Sequence, residues 1–220
     1  RFFRNTETPY LLKRYLSNHF AWQNDFGKER RLRLGGVIDV PHTGTKLSVG
    51  VENLQNYVFF DENALPAQEG GSVQIFSASL DQKLRFGPFN WNNTVTYQTT
   101  TNDRVLPLPK VAIYSNMFFF FKFARVLDVQ LGVDCNYYTN YYAPAYQPAT
   151  MAFYTQREKK LGNYPFVNVY ANMKLKKVRF FVLYSHVNNG LFGGSNYFSA
   201  LHYPLNPGRL QLGLSVDFAN

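Results

Sequence analysis

The 220-residue chain is poor in cysteine and contains no long apolar run. Its one cysteine, Cys135, excludes an internal disulfide and any zinc site built on several cysteine ligands. A transmembrane helix needs about 20 consecutive apolar residues, and their absence excludes a helical membrane protein. The chain opens on Arg1 without a signal-peptide pattern. If the protein is exported, we expect that a signal was removed or that further residues precede Arg1.

Acidic residues are scarce: 14 Asp and Glu stand against 23 Lys and Arg, which gives a net charge of +9. Such a surplus is typical of nucleic-acid binding. However, the basic residues are scattered except at Lys28–Arg33 and Lys174–Arg179, and neither cluster lies in a nucleic-acid-binding motif. We therefore expect no nucleic-acid partner. Basic side chains can also meet anionic lipid headgroups or line a pore.

Aromatic residues are abundant, at 18% of the chain. They could fill a large core or form girdles at a membrane interface. The tyrosines that follow position 136 could either belong to such a girdle or pack a loop; they are Tyr137, Tyr138, Tyr141, Tyr142 and Tyr146.

Alternation with a period of two is the main structural signal. In Arg209–Phe218, every second residue from Leu210 to Phe218 is apolar, and the residues between them are polar or glycine. Similar alternation occurs in Leu127–Tyr137, Phe166–Leu175, Arg31–Val40 and Lys46–Glu52. Segments of about ten residues suit strands that cross a membrane at a tilt.

The alternation predicts ten strands, near residues 15–24, 30–40, 45–59, 73–87, 91–101, 110–123, 127–137, 165–175, 178–188 and 209–218. A soluble sandwich would alternate in the same way. Short and long connections also alternate between these segments, as in transmembrane barrels with short periplasmic turns and long outer loops. We therefore predict an all-β fold, a transmembrane antiparallel up-and-down β-barrel. Residues 1–220 would form a single domain, the C-terminal portion of a larger barrel.

The ten strands are not expected to close on themselves. A barrel of eight to ten strands is filled by its side chains, and 14 acidic residues cannot pair with the 23 basic ones that would crowd it. The predicted strand at 15–24 should therefore have an unpaired edge or a partner outside this chain. The stretch Arg1–Lys13 is interpreted as extended and polar.

Twelve polar residues are predicted to line the pore: Arg31, Arg33, Lys46, Asp81, Lys83, Arg85, Asn168, Asn172, Lys174, Arg179, Arg209 and Gln211. Asn92, Asn93 and Thr94 are also predicted to face the lumen. The basic surplus could favour anions. Alternatively, the cations could pair with acidic neighbours, namely Asp39, Glu52, Asp128 and Asp134.

Catalytic and metal-binding residues are not indicated. The four histidines, His19, His42, His186 and His202, have no ligand spacing and are interpreted as isolated surface or interface residues. Ser185 and His186 are adjacent on a predicted strand, so they should point to opposite faces. We expect no cofactor, no metal and no enzymatic activity.

Several segments resemble a known family. They are SNHFAWQNDF (17–26), VLPLPKVAIYSN (105–116), YYTNYYAPAYQPATMAFYTQ (137–156), GNYPFVNVYANMKLKKVRFFVLYSHVNNGL (162–191) and YFSALHYPLNPGRLQLGLSVDF (197–218). They resemble the C-terminal half of the porin family of Bacteroidota. This resemblance implies a barrel in a bacterial outer membrane, assembled from the periplasm, with a diffusion pore.

The resemblance also implies partners: outer-membrane lipid and lipopolysaccharide, and the barrel-assembly machinery. That machinery reads a terminal aromatic residue, which would be Phe218, although Ala219 and Asn220 follow it. The pore would pass small hydrophilic solutes passively. The alternative function is a structural or scaffolding barrel within an outer-membrane assembly, either a homo-oligomer or a complex with other outer-membrane proteins and lipoproteins.

Overall fold

The computed structural model describes residues 2–191 and 197–218. The fold is all-β apart from one four-residue helix. The helix α1 is Tyr10–Lys13, and the strands are β1 Phe2–Thr6, β2 Arg14–Leu16, β3 Ala21–Gln23, β4 Glu29–Val40, β5 Thr45–Gln55, β6 Val58–Phe60, β7 Pro66–Gln68, β8 Ser72–Phe86, β9 Phe89–Thr100, β10 Val111–Phe123, β11 Leu127–Tyr138, β12 Ala145–Gln147, β13 Ala152–Tyr154, β14 Phe166–Leu175, β15 Val178–Ser185, β16 Phe198–Ala200, β17 Tyr203–Pro204 and β18 Arg209–Val216. Within the described part of the chain, no helix has the length and apolarity needed to cross a membrane.

Ten strands form one antiparallel sheet in the order β1-β4-β5-β8-β9-β10-β11-β14-β15-β18. The order follows the chain, so the sheet is an up-and-down meander. Over residues 2–191 and 197–218, the edge strands β1 and β18 do not pair with each other, and the sheet is therefore not closed. The predicted fold class and the lack of closure are confirmed.

Nine of the ten predicted strands correspond to strands of this sheet, but the strand predicted at 15–24 is wrong. This segment is instead the hairpin β2–β3, which turns where the Ser17 amide donates to the Phe20 carbonyl at 2.8 Å. Tyr15 stacks on Trp22 across the hairpin, with ring centroids 4.5 Å apart. The tenth strand is β1, which pairs with β4 and places Phe2 opposite Arg33. The interpretation of Arg1–Lys13 as extended is confirmed for β1 and wrong for helix α1.

Short and long connections alternate along the sheet. The short links span 41–44, 87–88, 124–126 and 176–177, and the long ones span 7–28, 56–71, 101–110, 139–165 and 186–208. Gly87 has φ +58° at the first position of a two-residue link, a conformation that glycine adopts without steric cost. The sheet therefore has a short-link end and a long-loop end.

The two faces of the sheet differ in polarity. The register places Leu47, Leu80 and Val95 on one face, and Lys46, Asp81 and Thr94 on the other. We call these the apolar face and the polar face. The apolar face is uncovered, with Leu212 69% exposed. Among the described residues no second large sheet packs against it, so the sandwich alternative is wrong.

The buried core is small and lies on the polar face at the long-loop end. Leu54 and Val73 of the sheet pack there with Val105 of the 101–110 connection. Val73 is fully buried. The core thus joins a long loop to the polar face of the strands. We call the five long connections together the loop layer.

Candidate functional site

All twelve residues predicted to line a pore lie on the polar face. Strand register assigns each of them to the face that also carries Asp81 and Gln130. Successive strands extend this surface from β4 to β18, because each strand presents alternate residues to it. The structure therefore brings the twelve together on one surface.

Basic residues crowd the polar face near the short-link end. Lys122, Asp128, Lys174 and Arg179 lie directly opposite one another on four neighbouring strands. Asp128 forms an ion pair with Lys122 at 2.8 Å. Lys174 and Arg179 are then like charges facing each other, a pairing that destabilises a sheet unless an anion or water separates them.

Ion pairs neutralise only part of the basic surplus. Arg31 forms an ion pair with Glu52, in which Nη2 donates to Oε2 at 3.0 Å. Arg179 lies 3.5 Å from Asp217. Seven cations on the polar face have no carboxylate at ion-pair distance among the residues described: Arg4, Arg33, Lys46, Lys83, Arg85, Lys174 and Arg209. The predicted pairing with acidic neighbours is therefore confirmed for Glu52 and Asp128. The preference for anions stays a prediction.

Amide and phenol groups form a hydrogen-bonded surface between the charged regions. Tyr170 lies across Gly132, and its hydroxyl donates to Asn116 Oδ1 two strands away at 2.9 Å. A Cβ at position 132 would stand 2.4 Å from the Tyr170 ring, so glycine is needed for this close approach. Gln130 donates to the same hydroxyl at 3.1 Å. The sequence predicted this polar surface, but it did not predict that Gly132 makes room for Tyr170.

The loop layer connects strands that are far apart in the sheet. Thr155 donates its amide and its hydroxyl to the Phe60 carbonyl, at 2.9 and 3.2 Å. Arg157 donates two hydrogen bonds to the Asp103 carboxylate, at 3.0 and 3.3 Å. These hydrogen bonds lower the pKa of Asp103 and raise that of Arg157. Phe60 lies in the connection that follows β5, and Thr155 lies in the connection that precedes β14. Because β5 and β14 are five steps apart in the sheet, the contact between Thr155 and Phe60 indicates that the long loops bend toward each other over the polar face.

His186 is buried, so its interpretation as a surface or interface residue is wrong. It follows β15 in a left-handed conformation, with φ 54°, and is only 2% exposed. Nδ1 lies 2.6 Å from the Asn206 carbonyl, which can only accept, and Nε2 lies 2.7 Å from the Tyr164 hydroxyl. Burial raises the pKa of the Tyr164 phenol, which stays a neutral donor. His186 therefore joins the connections 139–165 and 186–208. In the sequence, the only signal for this role of His186 was its position at the end of a predicted strand.

A row of polar residues interrupts the apolar face. Thr45, Gln82, Asn93 and Ser115 are aligned on four neighbouring strands. Ser115 accepts from Trp91 Nε1 at 2.9 Å and donates to Asn93 Oδ1 at 2.8 Å. The prediction that Asn93 faces the lumen is therefore wrong, although Asn92 and Thr94 do lie on the polar face.

No group of three or more potential metal ligands occurs in the described part of the chain. The other three histidines lie in turns or loops. His19 lies in the turn between β2 and β3. His202 lies 3.3 Å from Glu158, and both side chains are largely exposed. Phe218 is also exposed, just beyond β18.

The sequence profile of the family described as "Putative porin" matches residues 2–220. The chain belongs to this family. The match covers every described residue of this porin-family chain. The ten-stranded sheet, the polar face and the loop layer therefore all lie within the matched region. No protein of curated function matches the sequence.

Among solved structures, the porin-family chain is similar to the FrpB iron transporter from Neisseria meningitidis (F3-3 variant). The TM-score is 0.56 at 11% sequence identity. The alignment covers 88% of this chain and 32% of the transporter, so the chain spans about a third of that protein's length. At this identity the similarity concerns the fold alone, and it supports a membrane β-barrel.

Proposed function

We propose that this chain forms part of an outer-membrane pore through which small hydrophilic solutes diffuse passively, without cofactor or catalysis. The observation that carries the proposal is the continuous polar face with seven unpaired cations. Unpaired charges need water, and a water-filled lumen supplies it. The uncovered apolar face would then contact outer-membrane lipid and lipopolysaccharide, and the exposed Phe218 would be read by the barrel-assembly machinery.

Planar-bilayer recordings of the purified protein test this function. We expect steady, ohmic single-channel conductance, since diffusion through a water-filled pore requires no gating. Entry of neutral sugars into swelling liposomes should decrease with increasing sugar size. A protein that folds in micelles but yields no steady channel would contradict the pore.

A scaffolding barrel is the second candidate, favoured by exposed apolar side chains in the loop layer. Leu16 and Met151 are 83% and 81% exposed, and Tyr10, Leu11 and Phe153 also stand in solvent. The Tyr15 hydroxyl donates to the Ala149 carbonyl at 3.4 Å, which links the two loops that carry these residues. Exposed apolar groups of this kind suit docking to a lipoprotein, another outer-membrane protein or a second copy of the chain. Co-purification after crosslinking at Met151, together with the absence of conductance, would favour this candidate.

A further inference from the structure

A cavity of about 270 Å³ lies under the loop layer, where β11 and β14 reach the long-loop end. The strands contribute Asn136, Tyr138 and Phe166, all on the polar face. The connections 139–165 and 186–208 form the other walls. Ligand sites for drug-sized molecules are roughly 300–1,000 Å³, so this cavity suits a solute with one ring.

The walls of the cavity are rich in aromatic rings. They come from the strands and from both loops: Tyr138, Tyr164, Phe166, Tyr197 and Phe198. Tyr164 and Tyr197 stack with ring centroids 3.4 Å apart. Flat aromatic walls match a flat solute, either an aromatic ring or the C–H face of a sugar ring.

The rim of the cavity is cationic and has no acidic lining residue. Lys159 and Lys160 both line it, and neither forms an ion pair with any residue the structure describes. Lys159 Nζ lies 4.8 Å from the centroid of the Phe198 ring. The neighbouring acid, Glu158, lies against His202. Lys160 Nζ lies 5.2 Å from the centroid of the Tyr142 ring, which does not line the cavity. One ammonium group beside the aromatic wall, with a second at the rim, favours an anionic ligand.

Hydrogen bonds fix the cavity before any ligand binds. The buried Gln156 amide donates to the carbonyls of Ala143 and Lys159 at 2.7 and 2.8 Å, and accepts from the Lys159 amide at 3.0 Å. Leu161 exchanges two backbone hydrogen bonds with Tyr141. A site held in this way pays less conformational entropy on binding.

We propose that this cavity binds a single-ring organic anion, a carboxylate carried by an aromatic or a sugar ring. Lys159 and Lys160 would meet the carboxylate, and the aromatic walls would pack on the ring. A role as an entry site for solutes rests on the proposed pore function, whereas binding itself does not.

Calorimetry on the purified protein in micelles tests the proposal with two acids, 4-hydroxybenzoate and galacturonate, and their neutral analogues, 4-hydroxybenzyl alcohol and galactose. We expect one acid at least to bind, and its neutral analogue to bind about tenfold more weakly because a charge-assisted contact is lost. The acid that binds identifies the ring class. Binding of neither acid, or equal binding of acid and neutral analogue, would overturn the proposal.

The variant K159Q/K160Q should lower the affinity for the acid about tenfold. The matched control K28Q/K110Q removes two lysines of the loop layer that do not line the cavity, and should bind like the parent protein. Unchanged affinity in K159Q/K160Q would refute the site. Conductance measured without added ligand separates the two proposals. Binding without conductance would contradict only the pore function, and conductance without binding would contradict only the binding site.

Discussion

The two faces of the ten-stranded sheet have opposite chemistry and opposite surroundings. On the apolar face, Leu210, Leu212 and Leu214 are each at least 59% exposed, and nothing in the described chain covers them. On the polar face, the loop layer buries Leu54 and Val73. A water-soluble protein covers its apolar surface first. The reversed arrangement here fits a sheet whose apolar face is solvated by lipid.

The polar row on the apolar face is the exception to this comparison. Gln82, Asn93 and Ser115 lie among the apolar side chains of this face, yet each is hydrogen-bonded to a neighbour on the same face. On the polar face, equivalent hydroxyls can exchange their partners for water. The same kind of hydrogen bond should therefore contribute more to the stability of the fold on the apolar face than on the polar face.

The largest expected difference between the faces concerns a charge in the last strand. Leu212→Arg places a cation on the apolar face and should destabilise the barrel by about 2–4 kcal/mol near the bilayer midplane. The neighbour variant Gln211→Arg, on the polar face, should be nearly neutral. Unfolding in lipid vesicles by urea measures both. An equal loss of stability in the two variants would mean that both faces of the sheet are in the same solvent.

A smaller effect is expected for the hydrogen bond within the polar row. Ser115→Ala removes the partner of both Trp91 and Asn93 and should cost about 1–3 kcal/mol, since water cannot replace it in lipid. The all-apolar triple variant W91F/N93V/S115A should recover most of this loss. Ser79→Ala is the polar-face control; it removes the 3.0 Å contact with Thr96 and should cost less. An equal cost for S79A would place the polar row in water.

The next expected effect is on ion selectivity. Lys83→Glu with Arg85→Glu reverses two unpaired charges of the polar face and should shift the reversal potential in a salt gradient toward cation preference. Lys176→Glu, in a short link, should shift it less. A selectivity that responds equally to both changes would argue against Lys83 and Arg85 facing the permeation path.

The smallest expected effect is a pH dependence of the loop layer. Because Arg157 lowers the pKa of Asp103, their pairing should stabilise the layer above the ordinary Asp pKa of 3.8 and be lost as the pH falls through the lowered value. Both side chains can reach solvent, so the effect should be modest. Hydrogen exchange at the Thr155 amide, corrected for intrinsic rates, should increase below that pH. Asp103→Asn should show the faster exchange at every pH.

Most of the sheet could be predicted from the sequence because strand alternation is local. The parity of a residue within its strand fixes its face, and this placed all twelve predicted residues on one side. β1 lacked that signal. Its residues Phe2–Thr6 do not alternate, and β1 is a strand because β4 offers it an edge.

The sequence alone thus determined nine of the ten strands of the sheet, the alternation of short and long connections, and the two faces, since these follow from neighbours a few residues apart. Only the tertiary structure decided how the loops meet, because Thr155 and Phe60 are 95 residues apart and no periodic pattern links them. The burial of His186 and the aromatic cavity beside Lys159 depend on the same loop contacts. Asn93 follows the local rule of alternation, but the stability of its amide on the apolar face depends on its partner Ser115 from β10.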